Sequence, residues 1–214
     1  ISEKRAERAA ELAANYKVAN APLSENVAKC DLILLVVKPQ DMAGVLEEIK
    51  ADIRPGTLII SFVAGKQIRY IADVIGTSAN PVIRVMPNTP TLVGAGMSAI
   101  SCCGLVTAEQ RSFALGFLGA VGKVIEVDED LQDAVTATSV SGPAYFFRFV
   151  EAMVAGAIAL GLSKEDATTL TIQTIVGAAK LLDQSGDTPT TLREKVTSPN
   201  GTTFAALNSF NDSD

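Results

Sequence analysis

The chain contains no histidine and no tryptophan, and only 5% of its residues are aromatic. The absence of histidine excludes Ser-His-Asp and Cys-His nucleophilic catalysis and nearly all catalytic zinc sites, so we expect no metal. Three cysteines, Cys30 and the adjacent pair Cys102 and Cys103, form neither a disulfide framework nor a spaced metal motif. This cysteine usage is typical of a reducing compartment, and we expect a cytoplasmic protein.

Long apolar runs and an excess of positive charge are also missing. The most apolar stretch, Ala152–Leu162, is much shorter than the ~20 residues that span a bilayer, and the charged first residues do not read as a signal peptide. A net charge of -6 over 214 residues gives no electrostatic support to nucleic-acid binding. We therefore expect neither a membrane nor a nucleic acid as a partner.

Apolar runs alternate with helical patterns in the first part of the chain. Continuous apolar runs are typical of strands that are buried on both faces of a parallel sheet. The predicted strands are Asp31–Val37, Thr57–Phe62, Val82–Met86, Met97–Ser101 and Val124–Val127. The predicted helices are Lys4–Tyr16, Met42–Ile53, Gln67–Val74 and Ala108–Leu118. This alternation predicts a right-handed, doubly wound α/β layer.

The strand pattern stops near residue 128, and Ala-rich helical segments follow. They are Leu131–Gly161, Lys164–Ser185 and Thr190–Val196. We expect an α/β domain over residues 1–127 and an all-helical domain over residues 128–214. Pro143 removes a backbone donor from the first of these segments and predicts a kink or a break there.

The stretch Ser198–Thr203 has the pattern of a helix start. Ser198 is a good N-cap residue, and Pro199 suits the first helical position. Such a start directs free backbone N–H groups, with the hydroxyls of Thr202 and Thr203, toward an anion such as a carboxylate or a phosphate. The alternative is an ordinary capped helix without a ligand.

Turn-forming or polar residues follow three predicted strands in succession. The segments are Val37–Gln40, Ser61–Gly65 and Met86–Pro90. Each could be a plain turn, but ligands of doubly wound folds bind beyond the carboxyl ends of the strands. Together the three segments favour a cofactor cleft.

These segments also carry a family resemblance. The chain resembles the pyrroline-5-carboxylate reductases, the last enzymes of proline biosynthesis, in motifs that occur in order along nearly its whole length. The matching motifs are Val37–Gln40, Arg84–Pro90, Val93–Met97, Asp133–Thr136, Ser141–Phe146, Gly177–Lys180, Leu192–Arg193 and Val196–Thr203. One departure is Val140, where the family usually has a glycine and where a larger side chain could narrow the approach to the nicotinamide.

The resemblance implies a Rossmann-like dinucleotide-binding domain followed by a helical dimerisation domain. Family members begin with a strand and a glycine-rich phosphate loop, whereas the only glycine before Gly56 here is Gly44. We therefore expect residues 1–127 to be the dinucleotide-binding domain without its first strand and loop. Residues 128–214 are then the substrate-binding and dimerisation domain, shortened at its C-terminal end. A homodimer or a larger homo-oligomer is implied.

The implied reaction is hydride transfer from NADPH to the C=N carbon of the imino acid L-1-pyrroline-5-carboxylate, which gives L-proline. This reaction suits a chain without histidine, because a protonated imine is already electrophilic and orientation supplies much of the catalysis. The expected substrate-binding residues are Val196, Ser198, Gly201, Thr202 and Thr203. Thr203 is also the first candidate for the catalytic hydroxyl, and Thr136 is the second.

The cofactor contacts implied by the family lie mostly at the strand ends. They are Val36, Val37, Lys38, Pro39, Phe62, Ala64 and Asn88. Ser2, Lys4 and Arg5 favour the 2′-phosphate of NADPH, since cations at this place select NADP. Glu3 beside them keeps NADH as the alternative, and Lys4 and Arg5 could also be a solvated helix start.

Two other readings remain at this point. A β-hydroxyacid dehydrogenase of the same architecture would use a helical-domain lysine, and Lys164, Lys180 and Lys195 are available, although none lies in a matching motif. A non-catalytic protein that keeps the fold is the other alternative.

Overall fold

The structure is a computed structural model that describes residues 1–76 and 78–212. The chain divides into two compact units, Ile1–Ala144 and Tyr145–Asp214. This division concerns spatial compactness, and the functional border that the sequence suggests near residue 127 stays a prediction.

The first unit is built on a five-stranded sheet. Its strands are β1 (Leu32–Leu35), β2 (Leu58–Ser61), β3 (Val82–Pro87), β4 (Gly96–Cys102) and β5 (Gly122–Glu126). They lie side by side in chain order, and every pair is parallel except β3 and β4. In register, Leu35 lies beside Ser61 and Ser61 lies beside Arg84, so β1, β2 and β3 end at one edge of the sheet.

Helices alternate with these strands. They are α1 (Ala6–Tyr16), α2 (Leu23–Lys29), α3 (Met42–Ile49), α4 (Ile68–Ile75), α5 (Ala108–Gly119) and the short α6 (Gln132–Val135). Thr89–Val93 and Glu129–Leu131 form 3-10 turns, and Thr136–Val140 forms a π-helical turn. The α5 helix begins with a complete capping box between Thr107 and Gln110, which explains why its start was predictable.

Two apolar clusters cover the two faces of the sheet. On one face, side chains of α2, α3 and α4 pack on β1 and β2, with Met42, Leu46 and Ile71 almost fully buried. On the other face, α5 packs on strands β2 to β4 through Ala114 and Leu118. Helices on both faces confirm the predicted doubly wound α/β fold. Each buried aliphatic side chain in these clusters stabilises the folded unit by about 1.5–3 kcal/mol.

The second unit contains most of α7 (Gly142–Ala159), together with α8 (Lys164–Gln184), α9 (Pro189–Lys195) and α10 (Thr202–Asn211). Within its described residues, Ala167 is the only buried apolar side chain. Many large apolar side chains of α7 and α8 are exposed, among them Tyr145, Phe146, Phe147, Phe149, Leu170, Ile172 and Leu181. Such helices need a partner surface, because a single chain leaves their apolar faces in water.

Two local predictions need correction. Ser198 is not an N-cap and Pro199 is not the first helical residue: a turn occupies Ser198–Gly201, and α10 begins at Thr202 with Gly201 as its N-cap. The turn arises because Asn200 adopts a left-handed conformation (φ 60°), which asparagine tolerates and a helix cannot contain. The helix predicted over Met42–Ile53 ends at Ile49, before a turn and Pro55.

The break expected at Pro143 takes a specific form. The π turn ends at Val140, and α7 begins at Gly142, so that Pro143 lies in the first turn, where its missing N–H costs no helical bond. None of the helices in the described ranges is long and apolar enough to cross a membrane.

Candidate active site

The carboxyl ends of β1 and β2 form one continuous edge. The N–H of Phe62 donates to the carbonyl of Leu35 (3.0 Å), which holds the two strand ends together where the chain leaves the sheet. Beyond that bond, Val36 is 73% exposed although it is apolar, and Lys38, Pro39 and Ala64 are exposed as well. Val37 and Phe62 are half-buried. The edge therefore offers an uncovered apolar surface of the kind that a flat ring can occupy.

Asn88 follows β3 at the same edge, and its side chain is engaged with protein groups. Its Oδ1 accepts a hydrogen bond from the N–H of Met97 (2.8 Å), and its Nδ2 lies 3.3 Å from the carbonyl oxygen and 3.4 Å from the Oγ of Ser139. Asn88 thus connects the end of β3 to β4 and to the π turn.

Thr136 is the first residue of that π turn and is half-buried. Its hydroxyl donates to the carbonyl of Gln132 (2.8 Å). The hydroxyl hydrogen is therefore already committed within the helix, which makes Thr136 a poorer proton donor than its position suggests.

Residues 2–5 form a compact, largely exposed turn. Ser2 Oγ donates to the carbonyl of Ala21 (3.0 Å), and Glu3 accepts from both the backbone N–H (2.9 Å) and the Nε (3.3 Å) of Arg5. These hydrogen bonds from Arg5 lower the pKa of the Glu3 carboxyl. The Glu3 carboxylate thus pairs with Arg5, and the neighbouring Lys4 is exposed.

A polar cavity of about 390 Å³ adjoins Ala64 and was not predicted from the sequence. Its lining residues are Gly65, Lys66, Gln67, Tyr70, Arg84, Glu129, Asp130 and Asp133. At its base, Arg84 Nη1 lies 3.3 Å from Glu129 Oε1, and the ammonium of Lys66 lies 4.2 Å from the centre of the Tyr70 ring. The one sequence signal for this arrangement was an arginine inside the apolar run of β3, since a buried cation requires a partner.

The predicted substrate residues belong to the second unit. Val196 is exposed and directly follows α9, and the turn after it leads to the N-terminus of α10. No side chain caps α10, and Thr202 and Thr203 in its first turn are exposed. Gly201 passes so close to Ser198 that a Cβ at residue 201 would lie 3.2 Å from the Ser198 carbonyl oxygen. The helix start therefore presents uncapped N–H groups, as the anion-site hypothesis requires.

Some of these residues meet within the first unit, and the others belong to the second unit. The ends of β1, β2 and β3 meet at one edge, and Asn88 connects that edge to the turn that contains Thr136. Ser2, Lys4 and Arg5 lie in the same unit. Hydrogen bonds of Ile1 and Ser2 hold the start of this segment to residues 19–26. Val196, Ser198, Gly201, Thr202 and Thr203 lie in the other unit.

Comparison with known proteins decides the family. The pyrroline-5-carboxylate reductase of Pseudomonas aeruginosa is 43% identical over 210 residues, which are 98% of this chain and 76% of that protein. The chain belongs to the pyrroline-5-carboxylate reductase family. The enzyme of the same name from a Synechocystis species is 38% identical, and the matched region covers 97% of this chain and 77% of that protein.

Solved structures and family models agree with this assignment. A pyrroline-5-carboxylate reductase from Coxiella burnetii superposes with a TM-score of 0.91 at 33% identity, over 99% of this chain and 79% of that one. A Plasmodium falciparum pyrroline carboxylate reductase with NADP bound superposes with a TM-score of 0.85 at 30% identity, over 93% of this chain and 76% of that one. Residues 129–214 match a model described as pyrroline-5-carboxylate reductase dimerisation, and residues 1–65 match one described as NADP oxidoreductase, coenzyme F420-dependent.

These findings confirm the predicted family, the predicted fold class and the prediction that the chain is an NAD(P)H-dependent oxidoreductase. The dimerisation match also supports the expected homo-oligomer. The individual site residues are tested by none of these comparisons and stay predictions.

Proposed function

We propose that this protein reduces L-1-pyrroline-5-carboxylate to L-proline with NADPH as the hydride donor, the last step of proline biosynthesis. The observation that supports it most directly is the uncovered edge at the ends of β1, β2 and β3, in a chain of this family. A dinucleotide bound at that edge lies where doubly wound folds place their ligands.

The residues at the edge fit a nicotinamide cofactor. Exposed Val36 and Ala64 and half-buried Phe62 offer apolar contact to a planar ring, while Lys38 and Pro39 line the approach. When bound, the cofactor supplies the hydride. In the first residues of the chain, Lys4 and Arg5 provide the positive charge that a 2′-phosphate requires, and the NADP-bound relative supports the choice of NADPH over NADH.

The substrate carboxylate is assigned to the start of α10. The N–H groups of Thr202 and Thr203 point out of an uncapped helix start, where the helix dipole favours an anion. The close approach of Gly201 to Ser198 keeps this turn tight, and Val196 offers an apolar surface for the substrate ring. These residues hold the substrate by its charge and leave the C=N bond free to react.

The reaction needs little acid catalysis from the protein. The hydride forms a new C–H bond at the imine carbon, the π electrons of the C=N bond move to nitrogen, and nitrogen keeps its proton as a secondary amine. A hydroxyl near that nitrogen orients it and stabilises its charge. Thr203 is the first candidate for this role, and Thr136, whose hydroxyl donates to the carbonyl of Gln132, is the second.

The helical unit is proposed to form a homodimer. Its exposed apolar side chains on α7 and α8 need a matching surface, and a second copy of the same chain supplies one. The match to a dimerisation family over residues 129–214 supports the same conclusion.

The decisive experiment follows NADPH absorbance with purified protein and pyrroline-5-carboxylate, and is then repeated with NADH. Oxidation that depends on the imino acid and forms proline is the expected result. Folded protein that binds NADPH but leaves it unoxidised would contradict the proposal. Reduction of NADP⁺ to NADPH in a separate assay with 3-hydroxyacids, by contrast, would identify a β-hydroxyacid dehydrogenase.

A further inference from the structure

The side chain of Asn88 has its hydrogen-bonding orientation set by its neighbours. The backbone N–H of Met97 is a donor, so the Asn88 atom 2.8 Å away from it must be the oxygen. The other atom then is the NH₂ group, which faces the carbonyl oxygen and the hydroxyl of Ser139. The backbone N–H of Asn88 also donates to the carbonyl of Met97 (3.1 Å). The amide is therefore engaged on both sides by protein groups.

The segment that Asn88 contacts is an unusual piece of helix. In the turn Thr136–Val140, the N–H of Ser141 bonds to the carbonyl of Thr136 (3.0 Å), five residues back rather than four. Isolated π turns are rare, because an α-helical arrangement is normally more stable, and they occur frequently at functional sites. A change from π to α would rotate Thr136 relative to Ser141 by about 100°, the angle of one residue in a helix. A bond from outside the helix that selects the π form therefore sets the direction of Thr136.

We propose that Asn88 is a positioning residue: its amide holds the π turn Thr136–Val140 against the ends of β3 and β4, and so keeps this turn in the orientation that hydride transfer requires. This inference rests on the proposed reductase function. The expectation that Asn88 contacts the cofactor directly stays a prediction, and the measurements below distinguish the two roles.

The substitution Asn88→Asp isolates the connection. A carboxylate still accepts from Met97 but cannot donate to Ser139, and its size is unchanged. Asn80→Asp is the matched control: Asn80 donates through Nδ2 to the carbonyls of Arg54 (2.8 Å) and Thr57 (3.0 Å), close to the beginning of β3 and away from the edge. Asn88→Ser, which is too short to reach Ser139, provides a second variant if Asn88→Asp folds poorly.

Three measurements test the proposal. Hydrogen exchange of the Ser141 amide, in protein without cofactor or substrate, is expected to become about fivefold to tenfold faster in Asn88→Asp, as for the loss of one hydrogen bond. The Kd for NADPH stays within about twofold, while the single-turnover rate of hydride transfer falls by about tenfold or more, as for a misoriented reacting group. In Asn80→Asp, Ser141 exchange and hydride transfer keep their wild-type values even if the melting temperature falls.

Each contrary result has its own meaning. An unchanged Ser141 exchange rate in both Asn88 variants would show that the amide does not hold the π turn and would overturn the proposal. A large rise in the NADPH Kd with an unchanged hydride-transfer rate would make Asn88 a cofactor ligand instead. Wild-type protein without reductase activity would contradict the proposed function, whereas the exchange measurement still decides separately whether Asn88 holds the turn.

Discussion

Arg84 and Glu129 form an ion pair beneath the polar cavity: Nη1 of Arg84 lies 3.3 Å from Oε1 of Glu129, which is 45 residues further along the chain. The Arg84 side chain is only 4% exposed, and the same Glu129 oxygen accepts the N–H of Ile68 (2.8 Å) at the start of α4. Glu129 therefore connects the middle of β3 to the first turn of α4, directly after the loop that contains Phe62 and Ala64.

Removing the acid from this pair should cost much stability. We expect Glu129→Ala to lower the free energy of unfolding by about 3 kcal/mol, since it removes the ion-pair partner of a buried guanidinium. Urea denaturation measures the change. Glu151→Ala, which removes the partner of exposed Arg148, is the control and should cost no more than about 1 kcal/mol. Equal effects of the two substitutions would show that the Arg84 charge is not effectively buried.

The charges at the start of the chain should set the cofactor preference. We expect Lys4→Ala/Arg5→Ala to raise the KM for NADPH by about tenfold or more and to leave the KM for NADH unchanged, because charge-assisted contacts to the 2′-phosphate are lost. Steady-state kinetics with both cofactors provide the measurement. Arg8→Ala is the control, since Arg8 pairs with Glu11 on α1. A proportional loss with NADH would place the two residues elsewhere on the cofactor, or in folding alone.

Thr203 should affect the chemical step more than binding. We expect Thr203→Val, which keeps the shape and removes the hydroxyl, to lower kcat by about a hundredfold, because the imine nitrogen loses the group that orients it for hydride transfer. The same steady-state assay separates kcat from the KM for the imino acid. Thr168→Val on α8, whose hydroxyl donates to the Lys164 carbonyl, should have wild-type kinetics. A higher KM with an unchanged kcat would restrict Thr203 to carboxylate binding.

The exposed aromatic side chains of α7 should be needed for self-association. We expect Phe146→Glu/Phe147→Glu to weaken the dimer by about a hundredfold or more, because two large apolar groups are replaced by charges at the contact. Sedimentation velocity over a range of concentrations detects the change. Phe113→Glu on α5 alters a similarly exposed ring of the first unit, stacked on Phe117 at 6.0 Å, and should leave the dimer intact. Dissociation by the control variant alone would move the interface to α5.

Cys102 should react slowly at neutral pH. Burial, with the nearby Glu126 carboxylate, raises the pKa of the Cys102 thiol from 9.0 to about 11. Only the thiolate is nucleophilic, so at pH 8 its reactive fraction is about a hundredfold smaller than for an unshifted thiol. Site-resolved alkylation of folded and urea-unfolded protein measures the effect. The alkylation rate of Cys102 in the folded protein should still rise as the pH approaches 11. A folded rate that levels off near pH 9 would contradict the raised pKa.

The sequence predicted the elements that depend on local patterns. Strands β1, β2 and β3 follow from apolar runs, and the start of α5 follows from its capping residues. Both signals depend only on residues close in sequence, and the structure contains each element close to its predicted position. Local signals failed where a short turn competed with a helix. Ser198 and Pro199 favour a helix start, but the left-handed Asn200 moves that start to Thr202. The short helix α2 was missed because its seven residues carry no strong cap or apolar periodicity.

The sequence alone determined the family, the doubly wound order of strands and helices, and the set of candidate site residues, because these depend on motifs and on the hydrophobic pattern along the chain. The tertiary structure decided which of those residues are engaged with the protein itself. Asn88 meets Ser139, and Arg84 meets Glu129, only after strands, turns and helices have packed around the edge of the sheet. Such contacts join residues about fifty positions apart, and no local propensity encodes them.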